Sequence, residues 1–454
     1  MAQPLLEKID PDLYLAGAEV SERYAVDWSA ENPVKPEVVL RPRSTADVAT
    51  LLRLCNEAEQ RLVVQGGLTG LSGGATPQTG EWALSLERIN NIQQFDTTDM
   101  CITVGAGIAL EHVQQAVAAE GFFLPLDLGA RGSCTIGGNV STNAGGNQVI
   151  QYGMTRALVL GLTAVLADGT IIPANNVMLK NNAGFDLKQL FIGSEGALGI
   201  VTEVTLRLFP AKSAAATALC AVSSFSAVTQ LLEHAGRQLD AVSSFEVMWT
   251  NYYREAVRVE GVSRPFDDDI PYYVLIETTG AHAQSLETTF LAALESAMEA
   301  GLVDDAVIAQ SESERAGLWA IRDAISELLP QFTPAANFDI GLPVSAMEAF
   351  SADIEAEFQT LFPACRRVMF GHIGDGNLHI LATTGKPDDV RAIYDMIYRR
   401  LSKFGGTITA EHGVGWLKRD WLAECRSEAE IDLMRTLKAT LDPKRILNAG
   451  RILG

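Results

Sequence analysis

From Pro36 onward the apolar positions follow an α/β rhythm. Val38-Val39-Leu40 reads as a short strand. Ser44 then precedes Thr45-Ala46-Asp47 and suits an N-cap, because its hydroxyl can take up an orphan N–H of the first turn. Val48, Leu51, Leu52 and Cys55 recur at helical spacing behind it. Leu62-Val63-Val64 is the next strand and runs straight into the glycine-rich stretch Gly66 to Gly74. From Trp82 to about Pro210, β-branched runs such as Ile102-Thr103-Val104 and Ile171-Ile172 alternate with glycine turns, and Val165 to Thr170 reads as strand, turn, strand. Pro210 and the small residues Ser213 to Ala216 mark a boundary. From Thr217 to Ala410 strands alternate with amphipathic helices, expected over 288–302, from about Glu312, and over 387–404. The final segment returns to helix and ends in Leu441-Asp442-Pro443 and the apolar pair Ile446-Leu447. No internal repeat or low-complexity segment interrupts this order.

The 454 residues exceed one typical domain, and 47% hydrophobic with 20% charged residues is an ordinary globular balance. The formal net charge of -21 repels nucleic acid and anionic lipid, so neither is an expected partner. An anionic substrate remains open if particular Arg or Lys residues line its pocket. Cys55, Cys101, Cys134, Cys220, Cys365 and Cys425 are scattered without a CxxC, which reads as reduced thiols. The N-terminus carries early acidic residues and no apolar h-region, and the most apolar stretch, Ala157 to Ala167, is too short to span a bilayer. A soluble cytoplasmic protein without a membrane span is the expectation.

Two polar glycine stretches carry the first chemistry: Gly66-Gly67-Leu68-Thr69-Gly70-Leu71-Ser72-Gly73-Gly74, and Gly137-Gly138-Asn139-Val140-Ser141-Thr142-Asn143-Ala144-Gly145-Gly146. Glycine allows close backbone approach, and successive N–H groups can cup a pyrophosphate. The pattern is not a Rossmann fingerprint, since no GxGxxG joins a first strand to a helix, and no GK[ST] makes a Walker A loop. A third segment, Gly193-Ser194-Glu195-Gly196-Ala197-Leu198-Gly199-Ile200-Val201-Thr202, is weak evidence by spacing alone. Together the three resemble the FAD-binding domain of the vanillyl-alcohol oxidase and p-cresol methylhydroxylase superfamily over roughly Pro36 to Pro210. The resemblance implies FAD contacts at Gly66, Gly67, Thr69, Gly70, Gly138, Ser141, Asn143, Gly145, Gly146, Glu195 and Ile200. Covalently flavinylated members carry a histidine in the first loop. None stands between Arg61 and Gly80 here, so non-covalent FAD is expected.

Three of six histidines crowd into one part of the chain, in Gly371-His372-Ile373-Gly374-Asp375-Gly376-Asn377-Leu378-His379 and Glu411-His412-Gly413. Two histidines flanking a glycine turn can face one point, and Glu411 can complete an N,N,O set for a divalent metal with open positions. Loop histidines with structural hydrogen bonds fit the spacing equally well. The remaining His112, His234 and His282 read as surface residues. The two motifs resemble the C-terminal domain of FAD-linked D-2-hydroxy acid dehydrogenases, the group of D-2-hydroxyglutarate dehydrogenase, D-lactate dehydrogenase and the glycolate oxidase flavin subunit. That resemblance implies His372, His379 and Glu411 as ligands of a metal, expected to be zinc. It also implies His412 as the base and Asn377 as a substrate contact.

A carboxylate substrate calls for an arginine fork. Trp319-Ala320-Ile321-Arg322-Asp323 resembles the family segment whose arginine binds substrate, and Ser326 stands one turn on where the hydroxyglutarate enzyme has threonine. The chain departs from the hydroxyglutarate enzymes at Asn337, where they carry lysine, which weakens the case for a dicarboxylate. Glu246-Val247-Met248-Trp249 and Tyr252-Tyr253 read as plain core or as an apolar side-chain pocket. Asn448-Ala449-Gly450-Arg451 replaces a common Asn-Pro-Gly-Lys and keeps the cation.

The expected architecture is α+β: a p-cresol methylhydroxylase-type FAD-binding domain (1–212, core 36–210), an α/β substrate or cap domain (213–410), and a C-terminal segment (411–454) that returns to the flavin domain. The expected reaction is metal-assisted oxidation of a D-2-hydroxy acid to the 2-oxo acid by hydride transfer to flavin N5, with D-2-hydroxyglutarate or D-lactate as substrate. The electron acceptor is open between an electron-transfer flavoprotein and the quinone pool, and a homodimer is allowed. The alternatives are an FAD oxidase or dehydrogenase of another alcohol without metal participation, and a non-catalytic flavin-binding subunit.

Overall fold

The computed structural model describes residues 3–267 and 269–454. They form two compact units: one built from residues up to Gly146 with Tyr152–Pro210 and Glu411–Gly454, the other from 147–151 and 211–410.

In the first unit a four-stranded sheet runs in the order Tyr14–Ala16, Val38–Leu40, Trp82–Ser85, Leu62–Gln65. Its last three strands are parallel. Helix Thr45–Glu57 starts where Ser44 Oγ accepts from Asp47 N at 3.1 Å. Its buried stripe, Val48, Leu51, Leu52 and Cys55, packs with Leu40, Leu62 and Leu84 in one core. Each leucine so buried contributes about 2 kcal/mol relative to exposure. A five-stranded antiparallel sheet follows, in the order Ile92–Asp96, Cys101–Gly105, Ile200–Arg207, Val159–Val165, Ile171–Ala174. Strand Val159–Val165 is buried at every position, which is why its sequence lacks polar alternation.

The C-terminal residues are sewn into this unit. Leu62 N donates to Ile446 O at 2.7 Å, and Ile446 and Leu447 complete the core under the first sheet. Asp442 accepts from both of their N–H groups at 2.9 Å. Arg451, fully buried, pairs with Glu81 and donates to Thr76 O. The cation retained in the terminal motif is therefore a structural pin.

The second unit is one seven-stranded antiparallel sheet in the order Asp305–Ile308, Ala214–Val222, Tyr272–Gly280, Val242–Trp249, Arg366–His372, Asn377–Thr383, Ala336–Gly341. Helices Thr250–Ala256, Glu312–Asp323 and Ile325–Phe332 bury Tyr252, Leu318, Ile321 and Leu328 against Leu219, Leu275, Phe370 and Leu381 of one face. The helix expected at 288–302 runs instead over Ala283–Glu299. Its N-cap, His282, makes no side-chain cap, so no residue type announces the start. His234, read from sequence as a surface residue, is half-buried and its ring bonds to Ala293 O and Ser296 Oγ of that helix.

Candidate active site

The first unit contains a cavity of about 110 Å³ lined by both glycine stretches, among them Gly66, Gly67, Thr69, Gly70, Gly138 and Ser141. Segment 27–29 holds the first stretch from behind: Trp28 N donates to Leu68 O at 3.0 Å and Ser29 N to Gly70 O at 3.1 Å. Among the described residues, no backbone N–H from Gly66 to Gly74 donates to another protein group. A run of unsatisfied donors beside a cavity is what an anionic pyrophosphate needs. The glycines are sterically required. A Cβ at Gly67 would meet the Ser133 carbonyl and come within 2.9 Å of Cys134 Cα, and one at Gly66 would lie 2.5 Å from Thr135 Oγ1. Thr135 caps the helix Ile136–Thr142 that carries the second stretch.

Three titratable side chains, one from mid-chain and two from the C-terminal segment, meet this cradle. His412 lines the cavity. Glu411 Oε1 accepts from Gly146 N at 2.7 Å. Glu195, held at φ +51, accepts from Val414 N at 2.7 Å and Gly415 N at 2.8 Å. Burial pushes the Glu195 carboxyl up from its ordinary value, against the pull of those two N–H groups and of Lys418.

The second unit presents a polar cluster on one face of its sheet. Side chains alternate along a strand, and directly opposite residues share a face. Glu246 pairs with His372, Phe370 with His379, Asp339 with His379, and Gly341 with Asn377. Glu246, His372, His379, Asp339 and Asn377 therefore point the same way. All five are buried. The turn between the histidines needs Gly376 at φ +86, where a Cβ would sit 2.7 Å from Leu342 O. Helix Glu312–Asp323 lies over this face and directs Arg315, Trp319 and Arg322 onto it from one side of the helix. Arg315 and Trp319 donate to Glu277 Oε2 at 3.1 and 2.8 Å.

Arg322 Nε donates to Glu246 Oε2 at 2.9 Å, and Arg322 Nη2 lies 2.9 Å from His372 Nε2. His372 Nδ1 lies 2.6 Å from Glu246 Oε1. Arginine only donates, so His372 Nε2 is the acceptor and Nδ1 carries the proton, assigned here from the hydrogen-bond network. Burial pushes the Glu246 carboxyl up, but the Arg322 guanidinium and the hydrogen bonds from His372 and Arg322 outweigh it and hold the group at about 2. Burial works against the Arg322 charge, and Glu246 more than restores it. The His372 and His379 rings stand edge to face, with centroids 5.5 Å apart. Two buried imidazoles on one face form a nitrogen donor pair that fits a borderline-soft divalent ion. Asn377 Nδ2 donates to Asp339 Oδ1 at 3.2 Å, while its Oδ1 is buried with no partner among the described residues.

Residues 36–175 match the FAD binding domain family, and residues 211–452 match the family described as FAD linked oxidases, C-terminal domain. The chain belongs to the FAD-linked oxidases. It is 42% identical over 439 residues to a D-2-hydroxyglutarate dehydrogenase of Xanthomonas citri pv. viticola, covering 95% of this chain and 92% of that one. It is 38% identical over 452 residues to a mitochondrial D-2-hydroxyglutarate dehydrogenase of Bos taurus, covering 99% and 82%. Among solved structures, p-cresol methylhydroxylase superposes with a TM-score of 0.79 at 14% identity, covering 99% of this chain and 95% of that one. This FAD-linked oxidase thus has the p-cresol methylhydroxylase-type fold: an FAD-binding domain, a C-terminal domain, and a terminal segment that rejoins the first.

In this FAD-linked oxidase the residues singled out from sequence take different places. Gly66, Gly67, Thr69, Gly70, Gly138, Ser141 and Glu195 line the cavity. Ile200 is packed in the core with Leu62 and Leu84. Asn143 ends its helix in the left-handed region, and its Oδ1 accepts from Arg156 N at 2.9 Å. Gly145 and Gly146 lie against Glu411, Gly146 through its N–H. Ser326 is exposed on helix Ile325–Phe332. Glu246, in a stretch that reads as core or pocket wall, is instead the shared partner of Arg322 and His372. Asn448 was read only as part of a terminal motif. It lines the cavity and accepts from Val64 N at 2.8 Å. Tyr252 is core, and its hydroxyl donates to the carbonyl of Arg322.

Proposed function

We propose that this flavoprotein oxidises a D-2-hydroxy acid to the 2-oxo acid with the help of a divalent metal, taken to be zinc. The observation that carries the reading is the buried Arg322 guanidinium, set on the same sheet face as two histidines and Asn377 Oδ1, which has no partner among the described residues. When bound, FAD supplies the hydride acceptor and the metal supplies Lewis acidity at the substrate hydroxyl. His372, His379 and Glu411 are the proposed ligands. His412 takes the proton from the substrate hydroxyl. Arg322 grips the carboxylate with its planar fork. In doing so it draws its Nη2–H away from His372 Nε2 and releases that lone pair, so arrival of an acid frees a ligand atom. Asn377 is the further proposed substrate contact, and Ser326, proposed from sequence beside it, is exposed on the next helix, Ile325–Phe332.

The names of the relatives support D-2-hydroxyglutarate. Asn337 shares the face of Asp339 and offers a neutral amide, and Arg315 on the same face is already paired with Glu277 and Glu312. That favours an acid with one charge, such as D-lactate. The ratio of kcat/KM for the two acids decides between them. Electrons leave to an electron-transfer flavoprotein or the quinone pool. No described helix is long and apolar enough to cross a membrane, and no disulfide joins the six cysteines. This supports a reducing compartment, the cytoplasm in our reading, which fluorescence localisation of the tagged chain checks.

The test of metal participation is exhaustive dialysis against a chelator. Loss of flavin reduction, restored by zinc, supports the proposal. Unchanged reduction in verified metal-free protein favours a metal-independent FAD alcohol oxidase.

A further inference from the structure

The loop that carries His412 is fastened at two points within the FAD-binding unit. Ser72 Oγ, in the first glycine stretch, contacts His412 O at 3.2 Å and Gly413 O at 2.9 Å. On the other side, both carboxylate oxygens of Glu195 accept from the next backbone N–H groups, Val414 at 2.7 Å and Gly415 at 2.8 Å. The fit is close. A Cβ at Gly413 would come 2.8 Å from Glu195 Oε1, and one at Gly415 would run into Ser72 O. Glu195 is itself fixed. It stands at φ +51 between Gly193 and Gly196, its N–H donates to Ser141 O at 2.8 Å, and its carbonyl accepts from Asn448 Nδ2. A side chain held in the left-handed region indicates that its direction matters, because that conformation is costly for a residue with a Cβ.

We propose that Glu195 is a positioning residue for His412: its carboxylate clasps the Val414 and Gly415 N–H groups and holds the imidazole at the rim of the flavin cradle. The proposal rests on the reading of His412 as the base. It assigns the Glu195 carboxylate to the loop and leaves flavin binding to the glycine stretches. Both oxygens accept from backbone N–H groups, which a carboxylate can do and an amide, with only one acceptor atom, cannot. Glu195→Gln keeps the shape, leaves one acceptor, and turns an NH2 group toward a backbone N–H.

The experiment is anaerobic stopped-flow reduction of the FAD-loaded enzyme by D-2-hydroxyglutarate and by D-lactate, in Glu195→Gln, His412→Ala and the double variant. Flavin content is read from its visible absorbance. Glu195→Gln is expected to keep one FAD per chain and to lower the limiting reduction rate roughly 10- to 100-fold, with substrate half-saturation changed less than about two-fold. Added to His412→Ala, it is expected to cost nothing further, because two changes acting through one group are not additive. Ser72→Ala removes the opposite fastening and is expected to act in the same direction, which preserves the test if Glu195→Gln does not fold. The proposal is overturned by full-speed reduction in Glu195→Gln. It is also overturned by an equal further loss in the His412→Ala background, or by loss of FAD with a normal rate once FAD is resupplied. Full-speed reduction in His412→Ala sinks the base assignment itself, a result distinct from failure of Glu195→Gln alone.

Discussion

Glu246 and His372 stand directly opposite each other on neighbouring antiparallel strands, and the histidine's Nδ1 donates to the carboxylate across 2.6 Å. The same carboxylate takes Arg322 Nε at 2.9 Å, so one buried acid orients both the candidate ligand and the candidate carboxylate binder. Removing its charge strands a buried guanidinium. Glu246→Gln is therefore expected to destabilise the protein by about 3 to 5 kcal/mol in urea unfolding. Arg322→Lys keeps a charge but lacks the fork, and is expected to lower kcat/KM for the acid by roughly 100-fold with FAD content unchanged. A loss under two-fold would contradict the role given to Arg322.

Acid stability should carry the signature of the same group. Folded, the Glu246 carboxyl is held at about 2. Unfolded, a glutamate titrates near ~4.3. The unfolded chain therefore takes up this proton first. The stabilisation is fully present above about pH 4.3 and is lost as pH falls through about 2. Urea midpoints at about pH 5 and about pH 3 are expected to differ less in Glu246→Gln than in the parent protein. Equal pH slopes in the two proteins would show that Glu246 does not carry this part of the acid limb.

The cradle makes a steric prediction. Gly67→Ala drives a methyl group into the Ser133 carbonyl, so FAD affinity is expected to collapse. Gly129→Ala is the control, since a Cβ there meets nothing within 4 Å and is expected to leave binding intact. Flavin fluorescence titration of the apoproteins measures both. Wild-type affinity in Gly67→Ala would contradict the packing.

Much of this was legible in the chain, and the unread parts share a cause. Helix Thr45–Glu57 could be read because Ser44 announces it and four apolar positions keep a helical period. The glycine stretches could be read because such density of small residues has few other uses. Glu246 could not be, because a lone acid in Ser243-Ser244-Phe245-Glu246-Val247-Met248-Trp249 looks like one exception in a buried strand. Only its register against a strand more than a hundred residues away, |i−j| = 126 for the His372 bond, reveals the partner. Asn143 and Ile200 take other places: Asn143 caps a helix and Ile200 fills the core, while Ser141 and Glu195 of the same segments line the cavity.

Substrate charge gives another test. Asn337 lies two residues from Asp339 on the cluster's face and is half-buried. Asn337→Lys adds a cation to that face and is expected to raise the preference for D-2-hydroxyglutarate over D-lactate by roughly 10-fold in kcat/KM. An unchanged ratio would remove Asn337 from the determinants of specificity.

The most direct measurement is anaerobic bleaching of the bound flavin by D-lactate, D-2-hydroxyglutarate, D-malate and D-mandelate beside their L enantiomers. The account predicts rapid bleaching by at least one D acid and far slower bleaching by its mirror image. Flavin that stays oxidised with every acid, or that is reduced equally fast by both enantiomers, would contradict it.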